Sequence, residues 1–262
     1  MGLTSDALKR IENQAAAAVP VILPLSDAAA WTTMGDVSAD SQTAASERLP
    51  GPGRFSFPAL STKRPTTTVA PPQVIWPSDI DAEQSLQAAE MASRILRQWP
   101  PDRATILAVT SAGPGDGKTR WLTALAPQLA RRVAGGVLVV DANVRHPSLT
   151  ALATILPDAA KQPGVVYPTD RRRLSFLPAP DGRRDVCESL DRFGGESLRD
   201  GWSLVLIELP SLADAEAIEL SRHCDGVYLA VRLGHTSRRA LNRAVKTLRG
   251  AGSRLAGCLV AG

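Results

Sequence analysis

Residues 105–125 read TILAVTSAGPGDGKTRWLTAL, and this stretch sets the reading of the whole chain. Ile106 to Val109 form an apolar, partly β-branched run of the kind that makes a buried strand. Gly113-Pro-Gly-Asp-Gly117 cannot prolong a strand or a helix, and helical spacing resumes from Thr119. The order strand, glycine-rich turn, helix is what a phosphate chain needs. Glycines let successive backbone N–H groups curl around an anion, and the positive end of the helix starting near Lys118 points at the same place. Lys118 adds a mobile full charge for the terminal phosphates, and the Thr119 hydroxyl can enter the shell of a Mg²⁺ ion. The pattern G-x-x-x-x-G-K-[ST] is met except at its first position, where Ala112 stands for glycine. A plain Gly/Pro turn is the alternative, disfavoured because strand, G-K-T and helix all fall in the required order.

A chain of 262 residues accommodates one α/β domain with some extra length. Only 4% of residues are aromatic against 44% hydrophobic, so the core must be built from Leu, Val, Ile and Ala, as in parallel sheets. The net charge of +4 is mild for this length, and the basic clusters lack interleaved aromatic residues, so no nucleic-acid partner is expected. Cys187, Cys224 and Cys258 are odd in number and far apart, which suits reduced thiols in a cytoplasmic protein. The most apolar early run, residues 15–25, is interrupted by Pro20 and Pro24, whereas a span needs about 20 unbroken apolar residues. Direct membrane insertion is therefore not expected, and recruitment to the inner face of the membrane would go through a partner.

Three regions follow from composition. Residues 1–18 have spacing for one short helix, a candidate docking peptide; residues 19–78, rich in Pro, Ala, Ser and Thr, read as a disordered linker; residues 79–262 form the nucleotide-binding domain. Within that domain a helix is expected over 81–99, with Glu90, Arg94 and Arg97 as a charged stripe that is either solvated or a contact for a second subunit. After the phosphate-loop helix come a strand at 137–140, a short strand at 174–177, a helix within 185–199 and a strand at 204–207. A helix over 214–223, a strand at 226–231, a helix over 238–250 and a strand at 257–260 complete the chain. This alternation predicts a mostly parallel sheet with helices on both faces, the α/β fold of a P-loop NTPase, preceded by a disordered tail. Ligands of such sheets bind at the carboxyl ends of the strands, where Lys118, Asp141 and Glu208 all fall.

These residues supply one candidate for each need of phosphoryl transfer from MgATP. Lys118 clamps the phosphates, Thr119 and Glu208 hold the metal, and Asp141 joins the metal shell or orients the attacking oxygen. The nucleotide-contacting set is Gly113, Pro114, Gly115, Asp116, Gly117, Lys118, Thr119 and Arg120. The alternative for Asp141 and Glu208 is that each caps the turn that follows it. Arg145 and His146 suit either a phosphate contact or the open surface. His223 and His235 lack metal-ligand spacing and receive no role.

The series SAGPGDGKT, VLVVDANVRHPSL, SFLPAP, LVLIELPSLADA and DGVYLAVRLGHTSRRAL resembles the cytoplasmic tyrosine kinases of bacterial capsule and exopolysaccharide synthesis. These are deviant Walker-motif ATPases related to the Min and Par partition proteins. The resemblance runs from about Asp81 onward and implies ATP and Mg²⁺ as ligands. It also implies a membrane-bound polysaccharide chain-length or export protein as partner, and a homo-oligomer as one option. The family's second aspartate after the second strand is Asn143 here, and its Walker B aspartate is Glu208. No tyrosine follows Tyr228, so the family's autophosphorylated tail cluster is not expected. The departures open a second reading, a nucleotide-binding scaffold or co-regulator without catalysis. A partition-type ATPase is disfavoured, because Gly113 stands where those proteins place a second lysine.

Overall fold

The computed structural model describes residues 73–100, 102–156, 165–179, 199 and 201–261. The expected N-terminal helix, most of the expected linker, the expected helix within 185–199 and Cys187 lie outside the described residues.

Strand β1 (Val74–Ile75) is followed by helix α1 (Ala82–Gln98), β2 (Thr105–Ser111), α2 (Lys118–Ala130) and β3 (Val137–Asp141). Next come α3 (Ser148–Leu152), β4 (Thr154–Ile155), β5 (Tyr167–Pro168), β6 (Leu174–Leu177) and β7 (Leu204–Glu208). Helix α4 (Ala215–Ser221), β8 (Gly226–Arg232), α5 (Arg238–Gly250) and β9 (Leu255–Ala261) close the fold. Seven strands form one sheet in the order β5-β6-β3-β7-β2-β8-β9. All neighbours run parallel except β5, which is antiparallel to β6. The architecture is that of a P-loop NTPase, as the alternation of apolar runs and helical spacings requires.

The central strands β2, β3 and β7 are buried along their whole length, as both faces are covered. Alternate residues divide between the two sides. Leu107, Val109, Val137, Val139, Leu204 and Leu206 pack against Met91, Ile95, Trp121, Leu122 and Leu125 of α1 and α2. Ile106, Ala108, Leu138, Val140, Val205 and Ile207 pack against Ala217 and Leu220 of α4 and Ala244 and Leu248 of α5. The period of two in each strand thus builds two cores from one sheet.

Helix ends follow local chemistry. Asp81 caps α1 by accepting from the Gln84 N–H at 2.7 Å, and Ser237 caps α5 by accepting from the Ala240 N–H at 3.2 Å. Inside α2, Pro127 has no N–H for the carbonyl of Thr123 four residues earlier. The indole N–H of Trp76 donates to that carbonyl at 3.0 Å, so the acceptor freed by the proline is satisfied from outside the helix.

Trp76 moves the expected domain boundary. It is fully buried, meets the Phe176 ring edge-on with centroids 5.7 Å apart, and its backbone N–H donates to Asp170 Oδ1 at 2.8 Å. Val74 and Ile75 pair with Ile155 and Thr154, and the Gln73 N–H donates to Pro168. Among the described residues, packing therefore already includes the segment from Gln73, ahead of residue 79. One large aromatic side chain outweighs the polar, proline-rich composition around it. Other differences are small: β9 starts two residues before the expected strand, α4 is shorter than expected, and the two-residue strands and α3 have no periodic signal.

Candidate functional site

The loop between β2 and α2 carries the site. Gly115 and Gly117 have φ of +81° and +90°, a left-handed backbone that favours glycine, and Gly117 hands the chain directly to α2. A side chain at Gly115 would also meet the His235 ring, 3.6 Å from the Cβ position. Lys118, in the first turn of α2, is only 8% exposed, and its ammonium donates to the Ser111 hydroxyl at 3.1 Å. The same hydroxyl donates to the Gly113 carbonyl at 2.6 Å, so the lysine rests on a bracket formed by the loop itself. Burial lowers the lysine pKa, while Glu208, Asp116, Asp214 and Asp141 act in the opposite direction.

Thr119 and Glu208 meet as expected, through a hydrogen bond of 2.6 Å from Thr119 Oγ1 to Glu208 Oε1. The other carboxyl oxygen, Glu208 Oε2, is buried without a hydrogen-bond partner. Glu208 lies beside Asp141 in the β3–β7 register, and both are fully buried. Burial, with the neighbouring Asp141 second, pushes the Glu208 carboxyl up to about 7, against the Thr119 hydrogen bond and Lys118.

Asp141 is differently placed. Its Oδ1 accepts from the Asn143 N–H at 3.0 Å, and its Oδ2 accepts from the Thr150 N–H at 2.8 Å and the Thr150 hydroxyl at 2.7 Å. The carboxylate ties the start of α3 to the end of β3, the capping role that the sequence left open. Burial raises its pKa, and those hydrogen bonds and Lys118 oppose the rise. Asn143 is nearly buried. Arg145 pairs with Glu216 at 2.9 Å on the surface, and His146 is exposed. The Arg120 side chain turns to α1, with its guanidinium on Gln84 Oε1 at 2.9 Å and Asp81 Oδ2 at 3.2 Å.

Two features have no local signal in the sequence. Asp116 is 2% exposed and accepts from the Thr236 hydroxyl at 2.6 Å and from the Gly113 N–H at 3.1 Å; His235 Nδ1 lies 3.1 Å from the same carboxylate. The acidic residue of the loop is folded inward and staples it to the segment after β8. Its partners are 119 and 120 residues away, so only the adjacency of β2 and β8 could reveal them. Ser111, which carries Lys118, is likewise the last residue of a strand and not part of the G-K-T signature.

The residues present fit MgATP. A hydroxyl, a carboxyl with a vacant buried oxygen and a buried ammonium converge below a loop of left-handed glycines. Among the described residues no three His, Cys, Asp or Glu are grouped to hold a metal by themselves. That is compatible with Mg²⁺, which keeps several waters and needs one or two carboxylates plus phosphate oxygens.

No protein-family model matches the chain, and no curated protein sequence is significantly similar to it. Similarity lies in solved structures. The chimerical protein CapA2B2 superposes with a TM-score of 0.58 at 17% identity, over 71% of this chain and 92% of that one. The kinase domain of Escherichia coli tyrosine kinase ETK gives 0.55 at 20% identity, over 68% and 75%. The kinase domain of VpsO gives 0.56 at 24% identity, over 68% and 95%. At such identities the likeness is one of fold: this chain shares the P-loop α/β fold of these solved structures.

Proposed function

We propose that the chain binds MgATP at the β2–α2 loop and works as a kinase-like regulator of capsule or exopolysaccharide synthesis, with residual phosphoryl transfer. The observation that carries this reading is the Thr119–Glu208 contact at 2.6 Å with Glu208 Oε2 left vacant in a buried space beside Lys118. Lys118 and the loop N–H groups would neutralise the phosphates, and Thr119 and Glu208 would hold the ion, with Asp141 next to them. When bound, the ion supplies charge neutralisation at the phosphoryl group being transferred. The protein partner on this reading is a membrane-bound chain-length or export protein, and the setting is cytoplasmic. Support comes from the ordered sequence motifs together with the fold.

A second reading, a nucleotide-binding scaffold, has its own support. Asp141 already accepts three hydrogen bonds, two of them on Oδ2 from Thr150, so at most one acceptor site, on Oδ1, is left to orient an attacking oxygen. Asn143 brings no charge to the site. Displacements of one ångström can cost on the order of 10²-fold in rate, so binding can survive while turnover falls. The test is ATP hydrolysis and phosphorylation of a tyrosine peptide by the natural chain and by Asn143→Asp with Glu208→Asp. Turnover should rise at least roughly tenfold in the double variant with ATP affinity little changed. Equal turnover in both would mean that the two positions do not limit the chemistry.

A further inference from the structure

Helix α5 carries Arg238, Arg239, Arg243, Lys246 and Arg249 and no acidic residue. All five are exposed, and among the described residues none forms an ion pair. Other helices differ. Arg94 of α1 is paired within its own helix, Arg120 of α2 with Asp81, and α4 supplies Glu216 and Glu219 to arginines. At 100° per residue the five cations of α5 fall on a single arc of about 140°. The opposite side, with Ala244 and Leu248, is fixed in the core. Arg238, Arg239, Arg243 and Lys246 lie together with Asn242 and Thr247 on one open patch of the surface. Two of the cations occupy the first turn, where the helix dipole is positive and disfavours them. Local stability does not explain this arrangement, which breaks the usual placement without an evident compensating contact.

We infer that the outer face of α5 docks on the surface of a bilayer rich in anionic phospholipid. A 13-residue helix laid flat on the sheet spans about 20 Å and presents its cations side-on. It presents a broad array of flexible cations, which matches a plane of phosphates that needs no fixed register. No aromatic residue lies on this face for base stacking. A second copy is a poor occupant, since the same face would meet like charge. The contact is peripheral: no described helix is long and apolar enough to cross a membrane, and the apolar side of α5 is already used. The attachment is electrostatic.

The test is co-sedimentation of the full chain with vesicles of phosphatidylglycerol and phosphatidylcholine, against phosphatidylcholine alone. The natural chain should bind only the anionic vesicles. Binding should fade as salt shortens the screening length from ~10 Å at 0.1 M to ~3 Å at 1 M. Arg239→Gln/Arg243→Gln/Lys246→Gln should lower vesicle partition on the order of 100-fold, since each cation near an anionic surface accounts for roughly fivefold. Thermal melting and ATP-analogue binding of the triple variant should match the natural chain. Undiminished vesicle binding by the variant, or salt-independent binding by the natural chain, would overturn the inference. So would binding of the natural chain to short duplex DNA with no binding to the anionic vesicles. The salt series uses no variant, so salt-independent binding would overturn the inference even if the triple substitution impairs folding.

Discussion

Glu208 holds one oxygen on Thr119 and keeps the other buried and unpartnered; its burial, with Asp141 beside it, raises its pKa against the Thr119 hydrogen bond and sets its pH dependence. In the unfolded chain this carboxyl titrates near its ordinary value of 4.5, and in the folded, ligand-free protein near 7. The folded state thus binds the extra proton between those values, so stability falls as pH rises through this window. A shift of this size corresponds to on the order of 3 kcal/mol. Glu208→Gln keeps the shape without the titration. Without ligand it should melt like the natural chain near pH 4.5 and higher than the natural chain at pH 8. Parallel melting curves across that range would show that the carboxyl is solvated. With Mg²⁺ present, ATP affinity of the natural chain should rise through pH 7, since the metal needs the carboxylate. Lys118 and Thr119 stood out in the sequence through the G-K-T signature after β2, and Glu208 as the charged last residue of an apolar strand, β7. Asp116 was readable as a loop residue but not as a staple, since its partners reach it through strand order. The sequence placed Arg120 at the nucleotide by proximity to Lys118; its guanidinium is engaged by α1 instead.

Among the elements, the β1 segment and α2 depend on each other through Trp76 and Pro127. The proline leaves the Thr123 carbonyl without an N–H from its own helix, and Trp76 provides one while filling the space beside Phe176. Starting the chain at residue 73 should therefore preserve the melting temperature of the part that remains. Starting at Asp79 removes the tryptophan, and loss of a buried aromatic costs about 3–5 kcal/mol. At roughly 2–4 °C per kcal/mol for a domain of this size, the shorter fragment should melt about 10 °C lower, as read by differential scanning calorimetry. Equal melting of the two fragments would mean that Trp76 contributes nothing net. The long elements were legible because their period persists over many residues: α5 falls on its expected bounds, Arg238–Gly250. β1, β4 and β5 span two residues each, too short for any period, and are created by pairing across the fold.

For the molecule as a whole, one sheet sets what can meet. β7 lies between β3 and β2, so Glu208 is flanked by Asp141 on one side and by the strand that leads into the phosphate loop on the other. β8 on the far side of β2 brings Thr236 and His235 back over that loop, and α5 begins immediately after them. Parallel order was legible from alternation; the order of strands was not, because apolar runs carry no record of their neighbours. The Glu90–Arg94 pair on α1 satisfies two members of the charged stripe within one chain, which leaves Arg97 as the stripe's exposed cation. The central claim, a P-loop that grips MgATP through Lys118, is tested most directly by titrating the full chain with a fluorescent ATP analogue, with Mg²⁺ and with chelator. Saturable, Mg²⁺-dependent binding that Lys118→Ala abolishes is the predicted result; the same affinity in that variant would contradict it.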